Sequence, residues 1–375
     1  MANTVVMKLS ITKDQFSQGL QAVQNVVGAR TALPILSNVL LQAEDNWVRL
    51  TATDLDVTVS CRVEAKVVKK GASTLPAKRL FNIVREAANA EIDIEVDDRN
   101  VCTLRSGPSV FRLNGLPAED FPPMAQFDDK KPIVLPQDKL KAMLRRTAFA
   151  ASTDETRYVL NGLFFSLKDH KVTTVATDGR RLALTDEEAD IEAAAHTEFI
   201  VPTKAVAELA RLLQDKGMVE LRHTENQASF SLVDDKAGGV LVITKLVEGS
   251  YPNYQQVIPR ECKERVAMVR EEFLQALRRA EIMTSDKANS VKLSFSRNQL
   301  AITANTPEVG EAHETLSLNY KGADLAIAFN PAFLVEALRA LEQDEVFFEL
   351  TDELSPGVLK INGPFLYVIM PMRTN

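Results

Sequence analysis

Six times along the chain, apolar residues fall at i, i+3, i+4 and i+7, the stripe an amphipathic helix turns toward a core. The sets are Phe16/Gly19/Leu20/Val23, Leu80/Ile83/Val84/Ala87, Leu140/Met143/Leu144/Thr147, Val206/Leu209/Ala210/Leu213, Phe273/Ala276/Leu277/Ala280 and Leu334/Ala337/Leu338/Leu341. Their first members lie 60 to 67 residues apart, and Gly19 and Thr147 are the two weak members. A repeat of that length is a small structural unit rather than a solenoid turn. Between the helices, stretches such as 48–61, 91–104, 164–177, 219–233, 240–246, 291–304 and 359–370 are rich in Val, Ile, Thr and Phe. Many of them alternate, as half-buried antiparallel strands do. Each half-repeat therefore reads as one strand, one helix, then several strands.

Shorter echoes show that the true repeat is a pair of these units. Thr51-Ala-Thr-Asp54, Val175-Ala-Thr-Asp178 and Ile302-Thr-Ala-Asn305 each end an apolar run, with their last residues 124 and 127 apart. Leu75-Pro76-Ala-Lys78, Val201-Pro202-Thr-Lys204 and Phe329-Asn330-Pro-Ala332 each open the second helix of a pair. Leu116-Pro-Ala-Glu-Asp-Phe121-Pro122 is matched by Leu246-Val-Glu-Gly-Ser-Tyr251-Pro252. Three homologous α+β domains follow, at 1–125, 126–260 and 261–375, each expected to hold two helices and two small antiparallel sheets. Pro and charge interrupt the patterns between Pro122 and Pro132 and between Pro259 and Lys263, where the linkers belong.

Bulk properties fit several globular domains. The chain has 375 residues, 45% of them hydrophobic and 25% charged, and no apolar run approaches the ~18 residues of a membrane span. The start lacks the basic and apolar regions of a signal peptide, and the first six residues read as a loose tail before Met7. Cys61, Cys102 and Cys262 are far apart and form no C-x-x-C, which suits thiols in a reducing cytoplasm.

Catalytic constellations are missing from the sequence. His170, His196, His223 and His313 lie in no metal-binding motif, so no metal and no cofactor are expected. Neither a phosphate loop nor a nucleophile elbow occurs. Asp54 and Asp178 are equivalent carboxylates of two repeats, yet neither has the neighbours of an aspartic-protease motif. Turn-capping after a strand accounts for both, and for Asn305, more simply.

Charge carries more information. The formal net charge of −7 argues against a polyanionic partner, but the helices differ from the whole. Residues 76–90 carry +2, 137–151 carry +3 and 202–216 carry +1; the six helices total +4 and leave −11 for everything else. Lys78 and Arg85, or Lys204 and Arg211, are seven apart and share a face. Lys139, Lys141, Arg145 and Arg146 occupy the arc opposite Leu140, Met143 and Leu144. Long cations without a grouped base-reading set point to phosphate contacts rather than sequence recognition.

The chain closely resembles the bacterial beta sliding clamps, the processivity subunits of the replicative DNA polymerase. The likeness runs from Met7 to Arg373 and is densest in Leu33-Pro-Ile-Leu36, Leu50-Thr-Ala-Thr-Asp54, Arg105-Ser-Gly107, Leu116–Pro122, Arg157-Tyr158, Leu160-Asn-Gly162, Val175-Ala-Thr-Asp-Gly-Arg-Arg-Leu182, Ile302–Asn305 and Tyr367-Val-Ile-Met-Pro-Met-Arg373. It implies a DNA clamp fold whose three-domain subunits close head to tail into a dimeric ring, helices lining the hole and sheets forming the wall. The implied function is non-catalytic: encircling duplex DNA and tethering the polymerase catalytic subunit. Further implied partners are an ATP-dependent clamp loader, repair polymerases, mismatch-repair proteins and ligase. The expected location is a bacterial cytoplasm, with no membrane contact.

By the same resemblance Arg30, Lys78, Arg79, Arg85 and Lys204 approach phosphates, and Tyr158 lies near a single-stranded template tail. A pocket for short peptides is expected from Leu160, Thr177, Gly179, Arg181, Leu182, Pro252, Val257, Val368, Ile369, Met370, Pro371, Met372 and Arg373. Met among apolar residues suits a pocket that accepts several related peptides. Ring closure is expected to join a strand holding Arg105, Phe111, Arg112 and Leu113 to Ile282 and Met283, with Glu308, Glu311 and Glu314 nearby. An apolar centre would supply affinity there and a charged rim would set register.

Overall fold

The computed structural model describes residues 4–28, 33–127, 131–191, 196–233, 239–285 and 289–373. All six expected helices form: α1 (Lys13–Val23), α2 (Ala77–Glu86), α3 (Gln137–Thr147), α4 (Thr203–Leu212), α5 (Arg270–Glu281) and α6 (Pro331–Ala340). Local chemistry sets their starts. Thr12 Oγ1 accepts from the Gln15 amide at 3.3 Å, an N-cap for α1, and its hydroxyl donates to Gln15 Oε1 at 2.8 Å. Asn330 accepts from the Ala332 amide at 3.0 Å, and Pro331 occupies the first turn of α6, where its missing N–H costs nothing.

The predicted stripes are buried with two exceptions: Ile83 is half-buried, and Ala210 is exposed while Ala205 takes the inward position. Both weak stripe members have a structural reason. A Cβ at residue 19 would sit 2.8 Å from Leu50 Cδ1 and 2.9 Å from Val63 Cγ1, so Gly19 lets α1 lie close on its sheet. Thr147 is fully buried and satisfies its hydroxyl by donating to the Met143 carbonyl at 2.8 Å.

The chain divides into two compact units, Met1–Lys141 with Lys204–Leu246 and Ala142–Thr203 with Val247–Asn375. In the first, a five-stranded sheet runs Lys66–Lys69, Val5–Thr12, Glu91–Asp97, Val101–Ser106, Ser109–Asn114. Beside it in the same unit is an eight-stranded sheet: Ile133–Pro136, Met218–His223, Gln227–Val233, Val240–Lys245, Val57–Glu64, Trp47–Thr53, Asn38–Glu44, Gly71–Pro76. The second unit has an eight-stranded sheet in the order Thr197–Pro202, Gly162–Lys168, Lys171–Thr177, Arg181–Glu188, Phe365–Ile369, Gly357–Lys360, Glu345–Leu350, Glu264–Val269. Its four-stranded sheet runs Gly310–Ser317, Gln299–Thr306, Val291–Ser296, Leu325–Phe329.

Three sequence expectations change here. Each repeat supplies strands to two antiparallel sheets as expected, but these do not stay separate: Val57–Glu64 pairs with Val240–Lys245, and Arg181–Glu188 with Phe365–Ile369, so neighbouring repeats share a continuous sheet. Pairing removes exposed strand edges that each repeat alone would leave. The first six residues are not all tail, because Val5 and Val6 belong to a strand and the Thr4 carbonyl accepts from the Asp98 amide at 2.9 Å. Asn305 caps no turn; it lies within Gln299–Thr306, paired with Glu311.

Candidate functional site

The second unit carries an apolar cleft built on strand alternation. Phe164, Val175, Leu182, Ile200 and Val368 form a buried cluster on one face of its large sheet. Val159, Leu184, Val247, Tyr251, Tyr254, Ile258 and Leu366 pack against it. The Phe164 ring stacks on Tyr251 at 4.9 Å and meets Tyr254 at 5.8 Å, which fixes the 251–258 segment over the sheet. The Val247 amide donates to the Ile200 carbonyl at 2.9 Å and anchors the start of that segment. Burial raises the Tyr251 and Tyr254 pKa values, so both hydroxyls stay neutral.

Strand geometry sorts the residues expected to line the pocket. Leu182 pairs with Val368 and with Thr177 in register, and these side chains share the cluster's face. Met370 follows on the same alternation and is exposed, as are Val257, Met372 and Tyr158, the last 60% exposed. Pro252 is exposed on the covering segment, and Leu160 is buried beside Val159. Backbone bonds hold the tail in place, Met370 N–H to the Arg180 carbonyl at 3.0 Å and Met372 N–H to the Ala328 carbonyl at 2.8 Å. Pro371 is half-buried and Arg373 exposed.

Arg181 and Ile369 are the departure. They pair with each other in register and, being odd-numbered neighbours of Leu182 and Val368, point to the opposite face. The Arg181 guanidinium is fully engaged there: Nε donates to Asp178 at 3.0 Å, Nη2 to the Phe149 carbonyl at 2.8 Å, and Nη1 to Glu336. It also lies 4.3 Å over the Phe333 ring. Arg181 therefore holds the sheet to α6 and shapes the cleft from behind. Val175, Tyr251, Tyr254 and Ile258 were missed; the period-two alternation through Val175 could have found the first, whereas the others join only through tertiary packing.

The two equivalent aspartates are turn caps with basic partners. Asp54 Oδ1 accepts from the amides of Asp56 at 3.0 Å and Val57 at 2.8 Å, and its other oxygen pairs with Lys204. Asp178 Oδ1 accepts from Arg180 and Arg181 at 2.9 and 3.1 Å. Gly179, at φ +86°, completes that turn and donates to Thr177 Oγ1 at 3.1 Å. Among the described residues no group of three or more His, Cys, Asp or Glu could hold a metal ion.

Of the expected DNA-facing bases, Lys78 and Arg79 are exposed on α2 with no ion pair among the described residues. Arg85 pairs with Glu86 at 3.0 Å, and Lys204 is exposed but tied to Asp54. Arg211 is used internally, donating to the Gln21 and Ala22 carbonyls at 3.2 and 2.7 Å at the end of α1. On α3, Lys141 pairs with Asp215 and Arg145 with Glu342, while burial, helped by the charge of Arg145, lowers the pKa of Arg146. Arg30 lies outside the described residues.

Two of the sheets' edge strands bear on the expected ring contact. Ser109–Asn114 ends the five-stranded sheet and shows Val110 and Phe111 at 56% and 37% exposure. Gly310–Ser317 ends the four-stranded sheet. Ile282, past the end of α5, is 72% exposed and so is not core; Met283 is half-buried. Glu308 and Glu311 are exposed, and Glu314 is held by Arg279 at 2.7 and 2.9 Å, which keeps its carboxyl below the usual range. Arg105 lies not on the edge strand but on its neighbour Val101–Ser106, and Leu113 is buried against the core.

Sequence profiles described as the N-terminal, central and C-terminal domains of the DNA polymerase III beta subunit match residues 7–125, 134–253 and 255–373. The chain is 36% identical over 371 residues to the beta sliding clamp of Escherichia coli K12, covering 98% of this chain and 100% of that one. The chain belongs to the beta sliding clamp family. It is 35% identical to the clamp of Chlamydia pneumoniae over 371 residues, 98% of this chain and 99% of that one. The sliding clamp of Bacillus subtilis superposes with a TM-score of 0.93 at 31% identity, over 98% of this chain and 100% of that one. A Pseudomonas aeruginosa clamp bound to griselimycin gives 0.92 at 34%, with the same coverage. The fold is thus that of three clamp domains of helices and antiparallel sheets, and the protein is a processivity clamp of a DNA polymerase.

Proposed function

We propose that two copies of this clamp close head to tail around duplex DNA and tether the polymerase catalytic subunit without catalysing a reaction themselves. The observation that carries this reading is a pair of edge strands in the first and third sequence repeats, Ser109–Asn114, which exposes Val110 and Phe111, and Gly310–Ser317. Two different edges on one subunit make a heterologous contact that closes after a fixed number of copies, and two copies complete it here. Phe111 with Ile282 and Met283 forms the apolar centre, and Arg105, Glu308, Glu311 and Glu314 its charged rim. Lys78, Arg79, Arg85, Lys204 and Arg30 face phosphates, and Tyr158 a single-stranded tail. A diffuse cationic field without base contacts has no preferred register, so the ring slides. Tethering raises the polymerase's effective concentration at the primer end.

The cleft around Leu182, Thr177, Val368 and Met370 takes short apolar peptides from the polymerase, an ATP-driven loader and repair, mismatch-repair and ligase partners. The domains are bounded at 1–125, 126–260 and 261–375, and the protein acts in the cytoplasm. Among the described residues no helix is long and apolar enough to cross a membrane. The test is topological. Clamp loaded on a nicked circular plasmid should stay bound at moderate salt and run off when the circle is linearised. Equal retention on linear DNA would overturn encirclement.

A further inference from the structure

Arg49 and Arg62 are direct register partners on the Trp47–Thr53/Val57–Glu64 hairpin. They lie on the face away from α1, because Leu50, Cys61 and Val63 are the side chains that meet Gly19. Like charges directly opposed across an antiparallel pair destabilise it. Nearby acids do little to relieve them. Glu44 reaches Arg49 only at 4.0 Å, and Glu64, opposite Trp47, receives Gln15. Arg62 is exposed and has no ion pair among the described residues. The Arg49 Nε is buried without a hydrogen-bond partner among the described residues, so this side chain is held at a cost in free energy.

Arg49 and Arg62 line a cavity of about 480 Å³ together with Trp47, Met124, Ser60 and Ser231. That volume lies within the range of small-ligand sites. Ser60 shares its hydroxyl with Thr51 at 2.9 Å, whereas the Ser231 hydroxyl has no partner among the described residues. Paired planar forks, a spare hydroxyl and an indole wall are the chemistry that recognises an oxyanion on an apolar body. We propose that this cavity binds a small organic oxyanion, a carboxylate or phosphate monoester, bridged by Arg49 and Arg62 with its apolar part against Trp47 and Met124.

Trp47 is the single tryptophan of the chain, so intrinsic tryptophan fluorescence reports on this cavity alone. The full chain would be titrated with phenyl phosphate, benzoate and inorganic phosphate in separate arms at constant ionic strength. A saturable change with phenyl phosphate or benzoate is expected, and the stronger of the two identifies the headgroup. Arg62→Ala, at an exposed position that leaves the fold intact, should weaken it roughly tenfold or more, as removal of a charge-assisted hydrogen bond does. The proposal is overturned if no organic anion gives a saturable change, if Arg62→Ala binds unchanged, or if inorganic phosphate binds as tightly as phenyl phosphate.

Discussion

Lys78 and Arg79 sit side by side at the start of α2, exposed and without ion pairs among the described residues, whereas Lys204, Arg85, Lys141 and Arg145 each have an acidic partner. A cation that must leave a carboxylate to reach phosphate gains less than one already bare. Replacing Lys78 and Arg79 with Ala should therefore weaken DNA binding uniformly across sequences and lower the salt slope by about 1 for each phosphate no longer neutralised. An unchanged slope in a binding titration against salt would falsify their role. The buried thiols make a second prediction at this scale. Burial pushes Cys61 and Cys102 from 9.0 up to about 12. The folded state then binds protons the unfolded state has released, so stability is full below pH 9.0 and falls as pH rises toward about 12. Urea midpoints between neutral pH and about pH 11 should decline, and less so in Cys61→Ser with Cys102→Ser.

Helices were legible as elements because their periodicity is local; what each one packs against was not. Gly19 shows the difference, a weak stripe member whose reason is the approach of Leu50 and Val63 from strands 30 or more residues away. Gly19→Ala gains about 1 kcal/mol of helix propensity but overpacks the site by about 1–3 kcal/mol. The net expectation is a loss of up to about 2 kcal/mol in urea unfolding; a stabilised variant would show that the sheet can yield. At the end of α5, Ile282 is 72% exposed and so lies outside the core. Ile282→Ala with Met283→Ala should give a folded chain whose mass by light scattering is that of one subunit. An unchanged dimer would remove these residues from the ring contact.

At the scale of the whole chain, two sheets run through the junctions between sequence repeats, so repeats and packing units do not coincide. The C-terminal strand Phe365–Ile369 inserts beside Arg181–Glu188, which places the tail from Met370 onward next to the cleft. Deleting Met370–Asn375 leaves that strand and the edge strands Ser109–Asn114 and Gly310–Ser317 intact. Polymerase binding in a pull-down should be lost while the native mass stays that of the uncut protein; retained binding would move the peptide site elsewhere.

The sequence by itself determined the six helices, the threefold repeat, the turn-capping aspartates at 54 and 178 and membership of the clamp family. These are readable because each depends on residues within a few turns of one another or on strings matched in order. Tertiary structure alone decided which side of a strand each pocket residue faces, sending Leu182 and Val368 into the cleft and Arg181 and Ile369 behind it. It also decided which cations stay bare, since Lys204 meets Asp54 across 150 residues of chain. Pairings at that distance depend on strand register and sheet order, and no local pattern of hydrophobic and polar residues encodes them.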